Sequence, residues 1–265
     1  MFSGYRVLLL LSSSHALWAG SAAFQICSGA DNLPYSNMRG EGFENKLADL
    51  VAHDLDRPYH YIWLGPKASE LSKHIADGSC DLVMGIASSV TYLATTKPYY
   101  RSTYVWVSRH DCHLTIRSVD DPALKTLAIG VHYLGEDNSE VPPLQALGKR
   151  GLMKNIIGFR IQGNYAKHDQ AGMLIQAVED RKVDIAMAWG PLGGYFSRHA
   201  GVPLDVRPIS PDQDGPFLPF SFDISMGVQR GNITLQNTLD RFIDRRQEVI
   251  RALLDNYGVP RVGRS

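Results

Sequence analysis

The chain has 265 residues, with 27 basic and 27 acidic side chains that cancel and that nowhere gather into a long block of one sign. This balance excludes the electrostatic footprint of a nucleic-acid or anionic-membrane binder. Past the N-terminus no segment is long and apolar enough to cross a bilayer, and the roughly 240 residues that remain suffice for one large or two small domains with real cores.

Met1 to Ala23 carries one early cation at Arg6, an apolar run from Val7 to Leu11, a serine stretch and a small-residue exit from Gly20 to Ala23. That is the layout of a secretory signal peptide, with an apolar run too short for a membrane anchor. The mature chain is expected to begin near Phe24 and to be exported, which in a bacterium means the periplasm. There, three cysteines, Cys27, Cys80 and Cys112, lead to one disulfide and one leftover thiol, with the pairing open. Cys27 and Cys80 also suit burial as small hydrophobes beside strands.

The mature chain opens with a short strand, Phe24 to Cys27, and a loop of turn formers, Ser28 to Asn37. Phe43, Leu47, Leu50, Val51 and Leu55 then recur at helical spacing until Arg57-Pro58, and Tyr59 to Trp63 reads as a strand. A helix near Lys67 to Ala76 stops at Asp77-Gly78, and Asp81 to Ile86 is a buried strand. Alternation of this kind implies right-handed crossovers and a mostly parallel sheet. The β-formers from Tyr99 to Ser108 run into Arg109-His-Asp-Cys-His113, where a crossing to a second lobe is expected. A second series follows: strand Thr126 to Val131, a helix near Leu144 to Lys149, strand Ile156 to Gln162, helix Ala171 to Asp180 and strand Val183 to Ala188. The proline-rich loop Ser210 to Pro219 carries the chain back, and Phe222 to Val228 returns as a strand of the first lobe. Leu235, Leu239, Phe242, Ile250, Leu253 and Leu254 form the apolar stripe of a long terminal helix that ends before Gly258-Val-Pro260.

The expected fold is α/β, with residues 24–109 and 222–265 in one lobe, 114–215 in the other, and crossings at 109–114 and 215–222. A cleft between the carboxyl ends of the strands of two such lobes is where ligands bind, and two extended connections permit closure. One stretch aims at that cleft, since the strand ending at Ala188 runs straight into Trp189-Gly-Pro-Leu-Gly-Gly-Tyr-Phe196, an aromatic and glycine-rich turn. Those eight residues alone leave open whether Trp189 lines a site or caps a core.

Five motifs carry a family resemblance: CSGADNLPYSN from Cys27 to Asn37, GEGFENK from Gly40 to Lys46, CDLVMG from Cys80 to Gly85, the stretch Thr95 to Tyr104, and Trp189 to Phe196. In combination they resemble the MoxJ/XoxJ family, over nearly all of the chain from about Phe24 to Pro260. The resemblance implies a type II periplasmic solute-binding fold, with two α/β lobes, an interlobe cleft and two crossings. It also implies a role as accessory to a quinoprotein, pyrroloquinoline-quinone (PQQ)-dependent methanol or alcohol dehydrogenase, in maturation or activation rather than nutrient uptake.

The wider superfamily supplies a contrast. Its amino-acid-binding members hold the ligand carboxylate with the arginine of a Thr-x-x-Arg segment ahead of a Pro-Tyr motif, and the ammonium with an aspartate after the strand that matches Val183 to Ala188. Here Tyr92 falls about where that arginine would be, and Trp189 takes the aspartate's place. A buried ammonium or carboxylate without a partner is strongly disfavoured, so a free amino acid is not expected as ligand. In exchange the chain offers the aromatic side chains Tyr35, Trp63, Tyr92, Tyr133, Trp189 and Tyr195, with Asn32, Glu44, Ser88 and Ser89 as polar candidates at strand and helix ends. Packing within the lobes is expected for roughly half of those aromatics. Glu44, at a helix start, also suits the helix dipole.

Other chemistry finds no pattern to rest on. Asp212-Gln-Asp-Gly215 opens like a calcium loop but lacks the third acidic ligand and the closing glutamate, so it reads as a turn and no metal is expected. The nine histidines show no zinc-site spacing. No nucleophile elbow, Walker loop or dinucleotide fingerprint is present. Glu44 is the one carboxyl that would suit catalysis in the cleft, and no enzyme and no cofactor are expected. Two functional readings remain. The first is a periplasmic accessory that holds a segment of a PQQ-dependent dehydrogenase, in its apo form, in an aromatic cleft. The alternative is a transporter receptor for a small uncharged or aromatic solute.

Overall fold

The computed structural model describes residues 23–65, 68–133, 141–161 and 170–263. Apart from Ala23, the expected signal peptide lies outside the described residues, as do Lys67 and Gln162 at the ends of two expected elements. The first lobe is built from β1 (Phe24–Gly29), α1 (Phe43–Asp54), β2 (Tyr59–Leu64), α2 (Ala68–Ala76) and β3 (Leu82–Ala87). Strand β4 (Tyr100–Arg109) leads to β5 (Ile129–Tyr133), α3 (Pro142–Lys149), β6 (Ile156–Arg160), α4 (Met173–Glu179), β7 (Ile185–Trp189), α5 (Gly190–Arg198) and β8 (Leu204–Pro208). Strand β9 (Ser221–Val228) and the long helix α6 (Ile233–Asn256) complete the chain.

The strands form two sheets that share β4. In the first, β1 lies parallel between β2 and β3, and β9 runs antiparallel to both β3 and β4. In the second, β5 lies parallel between β7 and β6, while β7 and β8 flank β4 antiparallel. Tyr100 to Thr103 pair with β9, whereas Tyr104 to Ser108 pair with β7, so the passage between sheets lies inside β4. The polar break expected to mark it, Arg109 to Leu114, instead ends the strand and enters a 3-10 turn, His110–Cys112. The reason is that β-formers run unbroken through the change of partner, which composition does not register.

Each sheet is covered on both faces, as near-continuous apolar strands require. Phe24, Phe43, Leu47, Leu239 and Phe242 fill the core under α1 and α6, and Cys27, Cys80, Val83 and Ile86 pack under α2. In the second lobe Trp106, Leu124, Ile129 and Leu147 lie on one face, with Val105, Val107, Leu174 and Phe196 on the other. Alternation along β4 thus sends Val105 and Val107 one way and Trp106 the other. At the start of α6, Asn232 accepts from the Leu235 N–H at 3.2 Å, a side-chain cap of the usual kind.

Two local readings change. Trp189 to Phe196 is not a turn: α5 starts directly after Trp189, with proline in its first turn. The glycines serve close approach inside the helix, since a Cβ on Gly194 would sit 1.9 Å from the Gly258 carbonyl oxygen. Strand β8, unmarked by alternation, exists as an edge partner of β4.

The cysteine pair left open by the sequence is Cys27–Cys80, with Cys112 free. It ties β1 to the start of β3 across a separation of 53 residues. Closing a loop of that length removes about 4 kcal/mol of unfolded-state freedom in the chain-entropy limit. Reduction, or the Cys27→Ala/Cys80→Ala double variant, is expected to lower the unfolding free energy by about 2–4 kcal/mol, read from urea melts. Cys112→Ser serves as the control, with little change.

Candidate functional site

Strand β3, the carboxyl ends of β1 and β2, the start of α1, the middle of α2 and the loop after β1 line a cavity of about 610 Å³ in the first lobe. Its chemistry centres on Glu44, the second residue of α1, which is only 6 % exposed. Room for the carboxyl comes from a bulge in β3. Val83 pairs with Gly227 and Ile86 with Ser225, leaving Met84 and Gly85 opposite Met226 alone. Gly85 takes a φ of 64°, a conformation that a side chain would strain, and a Cβ there would lie 1.9 Å from Glu44 Oε1. The loop is held independently: the Asn45 side-chain oxygen accepts from the N–H groups of Asn37 and Gly42, each at 3.0 Å, and its amide donates to the Tyr61 hydroxyl at 2.9 Å.

Burial pushes the Glu44 carboxyl up to about 8, against the Tyr99 hydroxyl, which donates to Oε1 at 3.4 Å and favours the ionised form. Burial likewise raises the phenols of Tyr35, Tyr99 and Tyr100, so all stay neutral beside it. Among the described residues lining the cavity none is Lys, Arg or His. Apolar contact comes from Leu64, Leu71, Val83, Met84 and Ile86, and polar groups from Ser28, Asn32 and Ser72.

Tyr35 connects this cavity to a second feature. Tyr35, from the first lobe, and Trp189, from the second, pack against the same two cores. Trp189 also meets Tyr104 and Phe222 edge-on, with ring centroids 5.4 and 5.8 Å apart. These four aromatics make a seam where the lobes meet, beside the place where β4 changes sheet. Trp189 is half-buried and packs against the cores of both lobes.

Of the residues expected at the cleft, Asn32, Tyr35, Glu44 and Tyr92 line the cavity, and Trp189 packs on the same cores as Tyr35 without lining it. The others are not brought there. Trp63 stacks on Tyr61 on β2, with centroids 4.2 Å apart. The Ser88 hydroxyl bonds that of Ser225 at 2.6 Å, tying β3 to β9, and Ser89 faces solvent. Tyr133 covers Gly158 of β6. Tyr195 stacks on Tyr257 at 5.9 Å, clamping α5 to the end of α6, where Arg198 also caps the Asp255 carbonyl at 2.7 Å. Gly85, Tyr99, Tyr104 and Phe222 complete the site without having been singled out. Of these only Gly85 leaves a trace, a glycine inside a strand pattern.

The Asp212 to Gly215 stretch forms a hairpin whose carboxylates face guanidinium groups: Asp214 takes both Arg150 Nη1 at 2.9 Å and Nη2 at 3.0 Å, and Asp212 lies 3.9 Å from Arg101. Among the described residues no cluster of three or more His, Cys, Asp or Glu is arranged to hold a metal.

No family model matches the chain. It is 31 % identical to Protein MoxJ of Methylorubrum extorquens over 91 % of this chain and 82 % of that one. Among solved structures it is similar to MxaJ from Methlophaga aminisulfidivorans MPT, with a TM-score of 0.78, 27 % identity, and coverage of 91 % of this chain and all of that one. It is also similar to the periplasmic binding protein XoxJ from Methylobacterium extorquens AM1, with a TM-score of 0.74, 30 % identity and the same coverage. The fold is accordingly the type II periplasmic solute-binding fold.

Glu44 makes stability depend on pH with a definite sign. Between about 4.5 and about 8 the folded chain holds a proton that the unfolded chain has lost. Its contribution is therefore complete below about 4.5, declines as pH rises, and is gone above about 8, with a slope of up to about 1.4 kcal/mol per pH unit. Urea melts across this window are expected to show that decline, and Glu44→Gln to flatten it. A second variant, Gly85→Ala, is expected to lose about 1–3 kcal/mol from the forced left-handed backbone and from displacing the carboxyl.

Proposed function

The chain belongs to the MoxJ family, and on that premise we propose that it is a non-catalytic periplasmic accessory of a quinoprotein methanol or alcohol dehydrogenase. Its task in this reading is to hold a segment of the dehydrogenase at the interlobe cleft while that enzyme takes up its quinone and metal, both of which belong to the partner. Acting on maturation requires tighter binding to the cofactor-free form than to the finished one, since equal affinity for both shifts nothing.

The observation that carries this reading is the exchange of charged anchors for an aromatic seam. Tyr35 and Trp189, from opposite lobes, pack against the same cores, and Trp189 is backed by Tyr104 and Phe222. Large aromatics with polar tips are what protein segments dock against most strongly. A segment entering the cleft replaces the Tyr35–Trp189 contact with contacts of its own. The cavity beside Glu44 favours a second reading, a transport receptor for a small solute, because its volume and mixed polar and apolar wall suit a small molecule better than a chain segment.

Capture from solution separates the two. With the mature chain immobilised, the apo dehydrogenase is expected to be retained over the holo enzyme by about tenfold or more, and Trp189→Ala to weaken retention. Failure to hold either form above background removes the accessory reading and leaves the receptor.

A further inference from the structure

We propose that the cavity beside Glu44 binds a small organic cation, a primary ammonium group carried on an apolar body and bearing no carboxylate. The site goes beyond the accessory role and does not depend on it, because it lies within the first lobe. Glu44 is 6 % exposed, its Oε1 takes one long hydrogen bond from Tyr99 at 3.4 Å, and no described cavity residue carries a positive charge. A buried carboxyl with no counter-charge among the described residues of its cavity has room for one from outside.

The surroundings favour a cation over a neutral hydrogen-bond acceptor. Tyr99 already points a donor at Glu44, an arrangement that suits the carboxylate form. Ser28 and Asn32 bring oxygen atoms to the cavity that can accept the remaining ammonium N–H groups, and Tyr35 and Tyr92 bring aromatic rings to its wall. The apolar residues Leu64, Leu71, Val83, Met84 and Ile86 suit a hydrocarbon or aromatic body. With no guanidinium in the described wall, a ligand that also carried a carboxylate would bury it unpaired.

The Glu44 carboxylic acid plus the ligand ammonium gives a carboxylate–ammonium pair, and one proton passes to solvent. Because the free carboxyl titrates near 8, affinity must rise with pH below that value, by about tenfold per unit. A neutral acceptor would instead use the Glu44 proton and show no such rise.

Titration calorimetry of the mature chain with phenethylamine, phenethyl alcohol and phenylalanine, at pH about 6 and about 7 in two buffers of different ionisation enthalpy, decides the matter. The expected result is that phenethylamine binds about tenfold more tightly at the higher pH and releases close to one proton. The alcohol and the zwitterion are expected to bind at least about tenfold more weakly, and Glu44→Gln to cost the amine at least as much. Should Glu44→Gln fail to fold, proton release and the ligand ranking in the unaltered protein still decide. The proposal is overturned if the amine fails to bind, if the alcohol or phenylalanine binds as tightly, or if affinity is independent of pH. A chain that captures apo dehydrogenase yet ignores the amine overturns this site and leaves the accessory role standing.

Discussion

Strand β4 must satisfy its backbone hydrogen bonds in two sheets at once. Tyr100 to Thr103 pair with β9, and Tyr104 to Ser108 pair with β7. The returning chain has to pass beside the change of partner, where the Phe220 carbonyl accepts from the Tyr104 N–H at 2.9 Å and the Thr103 hydroxyl at 3.1 Å. The aromatic seam follows from this arrangement. Trp189 is the register partner of Tyr104, and Phe222 is the second residue of the return strand, so backbone pairing brings the rings together. A site set by strand ladders is held more exactly than one set by loops.

The first lobe was legible because its strands and helices alternate in apolar period, and the Phe43, Leu47 and Val51 stripe faces the core as its spacing implies. The second lobe's series was legible for the same reason. What the pattern could not carry were contacts fixed by tertiary approach. Gly193 and Gly194 look like turn residues, yet they lie within α5 because Val105 and Gly258 come too close for side chains. The lobe change inside β4 left no mark either, since a strand that swaps partners keeps its β-formers.

The candidate site shows the same division. Asn32, Tyr35, Glu44 and Tyr92 converge on one cavity, because loops at the carboxyl ends of parallel strands point to a common place. Ser88 and Tyr195 were equally good candidates by residue type, but one is spent joining β3 to β9 and the other clamps two helices. Hydroxyls and phenols serve structure and recognition alike, and only the three-dimensional partner distinguishes them.

Glu44 is the residue whose presence stability does not explain. At neutral pH its carboxyl is held protonated, so in the folded chain it resembles the amide of a glutamine in size and shape. The unfolded chain, however, ionises it, and that difference costs the fold about 3 kcal/mol at pH 7 relative to acid conditions, where an amide would cost nothing. The bulge at Gly85 adds to this, because an interrupted strand ladder and a glycine are committed to making room for the group. Stability alone would select an amide and a regular strand. A carboxyl kept in such a place, which a positively charged partner would ionise at neutral pH, is better understood through what it can bind than through what it holds together.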